Sequence, residues 1–222
     1  MGSLEVDARR AAVRDAVGVG VAVGLSGFAF GAAAVTAGLS VGQACVLSLV
    51  AFTGASQFAL VGVIAGGGSL VAGAAGAVLL GGRNAFYGLR LSQVLRITGW
   101  RRAVTAQGVI DETAAVATAQ PDADSARVGF YATAVSIYLM WNATTLLGAL
   151  GAARIGDPEA FGLDVVGAAV FLALLWPRLT AGRGPARVAA VAAVVAFAAT
   201  PVLPPGVPVM VAAVAVIAGG RR

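Results

Sequence analysis

Residues 16–82 read AVGVGVAVGLSGFAFGAAAVTAGLSVGQACVLSLVAFTGASQFALVGVIAGGGSLVAGAAGAVLLGG, which is 67 consecutive residues without a charged side chain. A helix needs about 20 mainly apolar residues to cross the roughly 30 Å hydrocarbon core of a bilayer. The stretch is therefore long enough for three crossings. Turns rich in glycine and serine divide it, together with the residues that follow, into three predicted segments at 16–37, 41–65 and 69–95.

Further apolar segments follow toward the C-terminus. Residues 128–153 hold 26 uncharged residues, which is enough for another crossing. The weaker candidates are 103–120, 162–181, 185–200 and 205–219. Hydrophobic residues make up 59% of the chain and charged residues only 11%, whereas a soluble domain carries about a quarter charged residues. We therefore predict an all-α, polytopic helical membrane protein with about seven or eight helical elements.

The charges predict how the chain is arranged across the membrane. All fifteen basic residues are arginines, and most lie in short clusters between apolar runs, as in the cytosolic loops of membrane proteins. We predict residues 1–15 to be a cytosolic lead-in and 16–222 to be one integral membrane domain. Counting full crossings from a cytosolic N-terminus would put the arginines of 96–102 outside. We therefore predict that 41–65 and 103–120 are broken or re-entrant, which is tolerated where backbone lines a cavity.

The composition excludes several classes of function. The chain has no histidine and a single cysteine, Cys45, so histidine-based catalysis, histidine-ligated metals and an internal disulfide are ruled out. No phosphate-binding GxxxxGK[ST] loop occurs, and aromatic and basic residues do not alternate as on nucleic-acid-binding surfaces. We predict that the chain is not an enzyme, binds no metal or other cofactor, and has no nucleotide or nucleic-acid partner.

Several short motifs are spread along the chain. They are Gly27-Phe28-Ala29-Phe30-Gly31, Gly38-Leu39-Ser40, Thr53-Gly54-Ala55-Ser56-Gln57-Phe58, Arg83-Asn84-Ala85-Phe86-Tyr87-Gly88-Leu89, Asp111-Glu112, Phe161-Gly162-Leu163-Asp164 and Leu174-Leu175-Trp176-Pro177-Arg178-Leu179. In their order and spacing these motifs resemble the AzlC family of branched-chain amino acid exporters. Three positions depart from the family pattern: Gly81 stands where the family often has asparagine, Asn84 stands where it often has histidine, and a proline common in the family's first segment is replaced near Ser26.

The resemblance implies a multi-pass transporter of the plasma membrane that exports branched-chain or similar apolar amino acids. It also implies that the chain is the large subunit of a two-component permease, with a small AzlD-type membrane subunit as its partner. The remaining expected partners are the amino acid substrate and the lipid bilayer. A non-transporting membrane scaffold or assembly subunit is the alternative, because close-packing glycines would serve that role equally well.

The segment 41–65 contains a candidate substrate site. Gln57 lies in it with Gly54 and Ser56, and an unpaired glutamine amide in hydrocarbon is costly. Glycine beside hydroxyl side chains also favours a break in the helix, and broken helices bind zwitterionic substrates in transporters. Gln57 therefore has two interpretations, a substrate ligand or an interhelical hydrogen bond.

The residues around Arg83 form a second part of the predicted site. A guanidinium can bind a carboxylate through two parallel hydrogen bonds, and Asn84 and Gln57 would add neutral ones. Glycines just before Arg83 would let the helix open, and Phe58 and Phe86 would line an apolar pocket. The alternative for Arg83 is a boundary residue whose charge reaches the membrane surface.

Two further pairs of residues have specific predicted roles. Asp111 and Glu112 are candidates for proton coupling, because a carboxyl group held away from water binds a proton more readily. Their alternative is a solvated position at the membrane surface. Gly27 and Gly31 form a G-x-x-x-G pair, which predicts close helix packing; the alternative is a wall of the site where the backbone approaches the substrate.

Overall fold

The computed structural model describes residues 2–155 and 166–213, which form twelve helices and no strand. The helices are α1 (Gly2–Gly24), α2 (Ser26–Thr36), α3 (Val41–Val50), α4 (Gly54–Ala65), α5 (Leu70–Gly81), α6 (Arg83–Leu95), α7 (Trp100–Gln107), α8 (Asp111–Thr118), α9 (Ala123–Arg154), α10 (Val166–Thr180), α11 (Arg183–Ala199) and α12 (Val207–Ala212). The all-α class is confirmed for these residues. There are more helices than the predicted seven or eight because four predicted segments are each divided into two helices. These segments are 16–37, 41–65, 69–95 and 103–120.

Two helical stretches are long and apolar enough to cross a bilayer. They are Arg9–Thr36, which comprises most of α1 and all of α2, and Ala123–Arg154, which is α9. Helix α1 continues without a break through residue 15, so no turn separates the predicted lead-in from the segment that follows it. The cytosolic position of the lead-in stays a prediction.

Helices α1 and α2 run parallel to α9. Gly20 lies against Ser136, and Gly31 lies against Thr145, so residue numbers rise together along the two stretches. A Cβ on either glycine would clash with α9. The absence of a side chain at these positions lets the backbones approach closely. This contact gives the molecule a long axis, whose two ends we name the Asp124 end and the Arg154 end of α9.

Helices α3 and α4 form a hairpin that opens toward the Arg154 end. The last turn of α3 reaches the middle of α9, where the Tyr138 hydroxyl donates to the Leu49 carbonyl at 3.2 Å. Helix α4 then returns. Phe58 packs against Trp141 in the middle of α9, whereas Gly62 lines a cavity together with the last residues of α2.

Helices α5 and α6 connect the two ends. Helix α5 packs antiparallel to α4, so Gly81 at its end lies beside Ser56 near the start of α4. After a break at Gly82, α6 continues to the Asp124 end, where Arg127 Nε donates to the Leu95 carbonyl at 3.1 Å. The two helices together therefore traverse the length over which α9 extends.

Helices α7 and α8 form a second hairpin, which opens toward the Asp124 end. Gly108 at its tip lies against Ala134, and on the return Val116 lies against Gly129. The prediction that 41–65 and 103–120 are broken is confirmed, because each consists of two short helices joined by a tight bend.

Three buried aromatic rings hold the first hairpin to the parallel helices. Phe30 of α2, Phe58 of α4 and Trp141 of α9 have ring centroids 5.6–6.4 Å apart. Aromatic pairs at this spacing contribute about 0.5–1.5 kcal/mol each beyond the burial of their area. The cluster fixes the level at which α4 begins relative to α9.

The C-terminal helices follow the sequence prediction in part. Helix α10 contacts α2 and α4, and α12 contacts α5. Helices α10, α11 and α12 fall within the predicted segments 162–181, 185–200 and 205–219, apart from the two residues at the start of α11. The first residues of 162–181 and the last of 205–219 lie outside the described residues.

Candidate functional site

The three helix breaks meet in the middle of the molecule. Gln107 at the tip of the α7–α8 hairpin donates to the Val50 carbonyl at the tip of the α3–α4 hairpin (2.6 Å). Arg83 at the break between α5 and α6 pairs with Asp111 at the start of α8, with Nη2 and Oδ1 3.1 Å apart. Polar groups from both hairpins and from the connecting pair of helices are therefore gathered at one level of an otherwise apolar chain.

Side chains donate hydrogen bonds to the carbonyl groups at the end of α3. The last carbonyl groups of a helix have no partner within it. Here the carbonyls of residues 47–51 accept hydrogen bonds of 2.6–3.5 Å from the side chains of Gln57, Gln107 and Tyr138. The roles of Gln107 and Tyr138 as partners of these carbonyls are not visible in the sequence, because nothing in a single sequence marks which side chains meet a helix end.

Gln57 Nε2 lies within hydrogen-bonding distance of three of these carbonyl oxygens, and the residue is 1% exposed. Its Oε1 also accepts a hydrogen bond from Trp141 Nε1 at 3.0 Å. Gln57 thus makes interhelical hydrogen bonds, which was one of the two interpretations of this residue. A role as substrate ligand would require it to give up some of these bonds, and that role stays a prediction.

Gly54 and Ser56 face different neighbours. A Cβ on Gly54 would lie 2.8 Å from the Trp141 ring, so the indole packs directly on this stretch of backbone. Ser56 is buried, accepts a hydrogen bond from Thr53 (3.4 Å), and lies beside Gly81 just before the α5–α6 break. Of these two residues, Ser56 is the one beside the α5–α6 break, at which Arg83 lies.

Arg83 and Asp111, for which the sequence predicted two separate roles, form an ion pair. Arg83 is a predicted substrate ligand and Asp111 a predicted proton carrier, and their side chains are 34% and 40% exposed. A half-buried arginine with a carboxylate partner differs from a boundary residue whose charge extends to the surface. A sequence signal for this pair was present, because a charge within apolar segments generally has a partner of opposite sign.

Arg83 and the next residue along the chain each have one buried polar atom without a hydrogen-bond partner in the described part of the chain. Arg83 Nε and Asn84 Oδ1 are buried, and no group in the described part of the chain bonds to either. Buried polar atoms are nearly always hydrogen-bonded, so these two have capacity for a ligand. They are a donor and an acceptor on consecutive residues at the start of α6.

Glu112 completes what we call the central polar cluster, namely Arg83, Asn84, Asp111 and Glu112. It follows Asp111 in the first turn of α8, where the positive end of the helix dipole favours acidic side chains. Both carboxyl groups are on half-buried residues, neither fully solvated nor fully enclosed. The two predicted proton carriers are therefore next to the predicted carboxylate-binding residue.

Gly27 and Gly31 lie away from this cluster, against α9. A Cβ on Gly27 would be 2.5 Å from the Trp141 carbonyl oxygen, and one on Gly31 would meet the backbone of Thr145. Their contacts are those of close helix packing.

A large apolar cavity of about 980 Å³ opens near the Arg154 end of α9. Its walls come from α2, α4, α5, α10 and α12, and Phe58 is part of them. Thr36 supplies the one polar side chain among the described lining residues. Phe86 is 74% exposed and faces away, so the prediction that it lines the apolar pocket was wrong.

Comparison with known proteins adds one finding. A family model described as "AzlC protein" matches residues 18–155, which is more than half of the chain and extends through α9. The motifs at 161–164 and 174–179 lie beyond this match, and 161–164 are also outside the described residues. No curated protein and no solved structure matches the chain.

Proposed function

Because this chain belongs to the AzlC family, which is associated with branched-chain amino acid transport, we propose that it exports branched-chain or similar apolar amino acids. The observation that carries the proposal is the meeting of three helix breaks at a charged pair within an apolar molecule. Secondary transporters build their substrate sites from discontinuous helices in this way. The protein is proposed to be multi-pass and to lie in the plasma membrane.

The proposed orientation places the Asp124 end in the cytosol. Arg9 pairs with Asp124 (3.7 Å) and Arg127 bonds to Leu95, so the arginines of α1, the start of α9 and the end of α6 share this end. Helices α1–α2 and α9 then cross in the same direction, and α5–α6 crosses back. The two hairpins enter from opposite faces, and the arginines of 96–102 stay inside, in agreement with the positive-inside rule.

Each group of the site has a proposed role. Arg83 binds the substrate carboxylate, and Asn84 Oδ1 accepts a hydrogen bond from the substrate ammonium group. The apolar cavity takes the aliphatic side chain. Ser56 and Gly54 form the wall on the α4 side, and Gln57 holds the hairpin closed or exchanges one of its bonds for the substrate. Asp111 or Glu112 carries the coupling proton.

The proposed partner is a small AzlD-type subunit. Apolar side chains outside the described core support an apolar environment for this chain: Val194 and Phe197 of α11 are 68% and 84% exposed. Lipid and a membrane subunit would both cover such a surface, since each removes apolar area from water.

Reconstitution into liposomes tests the function. Vesicles loaded with radiolabelled leucine are prepared with this chain alone, with the chain and its partner, with the Arg83→Lys variant and its partner, and without protein. We expect saturable efflux only from the complete pair with native Arg83. Full efflux by the chain alone would remove the partner from the proposal. Efflux that is equal for the native and protein-free vesicles, with the partner present, would favour a scaffold.

A further inference from the structure

We propose that the Asp111 carboxylate acts as an internal stand-in for the substrate: in the empty protein it occupies the position on Arg83 that the substrate's carboxylate takes. Substrate binding then displaces Asp111 from the guanidinium. The inference rests on the proposed function, because it concerns the same site, and it adds that an acidic residue of the chain competes with the ligand. Without such a residue, the empty site would leave a guanidinium unpaired in an apolar region, which is costly.

The geometry of the ion pair fits a bond that is made and broken. One hydrogen bond, from Arg83 Nη2 to Asp111 Oδ1, joins the two groups. A carboxylate that binds a guanidinium in the bidentate mode accepts two parallel hydrogen bonds. Asp111 accepts only one, so it occupies one of the two donor positions. Arg83 Nε is buried and unpaired within the described residues, which leaves a second donor for a carboxylate that replaces Asp111 and binds Nε and Nη2 together.

The placement of the two residues allows Asp111 to leave without disrupting a helix. Arg83 begins α6 and Asp111 begins α8, so each side chain projects from a helix terminus at a break. Asp111 makes no N-cap bond in α8, because the N-terminal turn is bonded instead through Thr113, whose Oγ1 accepts from Ile110 N at 3.0 Å. The 40% exposure of Asp111 gives it space to turn.

The charged groups around Asp111 make displacement specific to anions. Arg83 comes from α6, and Glu112 is the next residue on α8 itself. Helix α9, which packs against α8, carries the neutral phenols Tyr131 and Tyr138 and the cation Arg127, which is paired with Asp124. The cation paired with Asp111 is Arg83, so a ligand that displaces Asp111 from it must carry a carboxylate or similar anion.

The competing interpretation is a structural ion pair, in which Asp111 merely orients Arg83. The two interpretations predict opposite effects of removing the Asp111 charge. If Asp111 competes with the substrate, Asp111→Asn frees the guanidinium and tightens binding. If Asp111 only positions Arg83, the same change loosens the guanidinium and weakens binding.

The test measures the leucine dissociation constant by calorimetry on the purified two-subunit protein and compares the native chain, Asp111→Asn and the control Asp124→Asn. We expect Asp111→Asn to bind leucine about tenfold more tightly. The control removes an exposed acidic charge that pairs with Arg127 and not with Arg83, so the affinity should stay native. Leucinol, which lacks the carboxylate, should show no gain in affinity with Asp111→Asn.

A folded Asp111→Asn protein whose affinity for leucine is unchanged or weaker would overturn the inference while leaving transport itself intact. Thermal unfolding in detergent reports whether the variant is folded, and Asp111→Ser is measured in the same way if it is not. A native protein that neither binds nor transports leucine would instead remove the proposed function, and the inference with it.

Discussion

Trp141 of α9 donates a hydrogen bond from its indole nitrogen to Oε1 of Gln57, 84 residues earlier in the chain, at 3.0 Å. Nε2 of the same amide donates hydrogen bonds to carbonyl groups at the end of α3. One side chain therefore joins the two halves of the first hairpin and fastens both to the longest helix. Its position is the reason that the hairpin tip stays at the level of the central polar cluster.

The first prediction concerns this amide. Gln57→Ala would remove the side-chain donor to carbonyls of α3 and leave the buried Trp141 Nε1 without its acceptor, so the free energy of unfolding should fall by about 1–3 kcal/mol. Trp141→Phe, which keeps an aromatic ring but loses the donor, should cost less. Denaturant-induced unfolding in detergent measures both. Gln93→Ala on the exposed face of α6 is the control, and we expect it to change stability by under about 0.5 kcal/mol.

Equal stability of Gln57→Ala and the native protein would show that water or a rearrangement satisfies the α3 carbonyls. Stability unchanged together with loss of leucine affinity would instead assign Gln57 to the substrate. The two roles are thereby separated by one pair of measurements.

The second prediction tests the parallel contact between α2 and α9. Gly27→Ala places a methyl group 2.5 Å from the Trp141 carbonyl oxygen, which forces the backbones apart, and we expect a loss of about 1–3 kcal/mol in stability. Gly18→Ala is the matched control, since the described residues leave open space around that Cβ. An alanine there should raise helix stability by up to about 1 kcal/mol. A Gly27→Ala protein as stable as Gly18→Ala would contradict the packing.

The sequence predicted those features that do not depend on which distant segments meet. The breaks in 41–65 and 103–120 were predicted because unbroken crossings would put the arginines of 96–102 outside, and glycine beside hydroxyl side chains in 53–56 also favours a break. The Arg83–Asp111 pair and the Gln107–Val50 bond were not, because each requires two segments to meet at one level. Phe86 was misplaced because an aromatic ring on a helix packs equally well toward a cavity or outward.

The third prediction concerns the start of α9. Hydrogen bonds from the backbone and the hydroxyl of Ser125 stabilise the ionised Asp122 carboxylate and lower its pKa below the ordinary value of 3.8. A carboxyl group whose pKa is lower in the folded state stabilises the protein above its unfolded pKa and loses that contribution as the pH falls through the folded value. Asp122→Asn, which keeps an N-cap oxygen, should remove this part of the acid sensitivity.

Unfolding curves of the native protein and Asp122→Asn between about pH 2 and 7 measure the effect. We expect the difference in stability to be constant near neutral pH and to shrink below about pH 4. A difference that stays the same across the whole range would mean that Asp122 is not ionised as the cap requires.

The fourth prediction concerns energy coupling. If Asp111 or Glu112 carries the coupling proton, Asp111→Asn or Glu112→Gln should abolish efflux driven by a pH gradient. Exchange of labelled for unlabelled leucine at equal pH should continue, because it needs no net proton movement. Both activities are measured in the same proteoliposomes. Unchanged pH dependence of transport in both single variants would exclude these two residues.

The last prediction concerns the planar fork of Arg83. A lysine at this position keeps the charge and the attraction to Asp111, but it cannot present the buried Nε donor that Arg83 leaves unpaired among the described residues. Arg83→Lys should therefore weaken leucine binding by roughly 1.5–3 kcal/mol, or about ten- to a hundred-fold, while the melting temperature changes little. Arg90→Lys on the exposed face of α6 is the control, and its affinity should stay native. If Arg83→Lys binds leucine with native affinity, the guanidinium is only a partner for Asp111, and the substrate carboxylate is bound elsewhere.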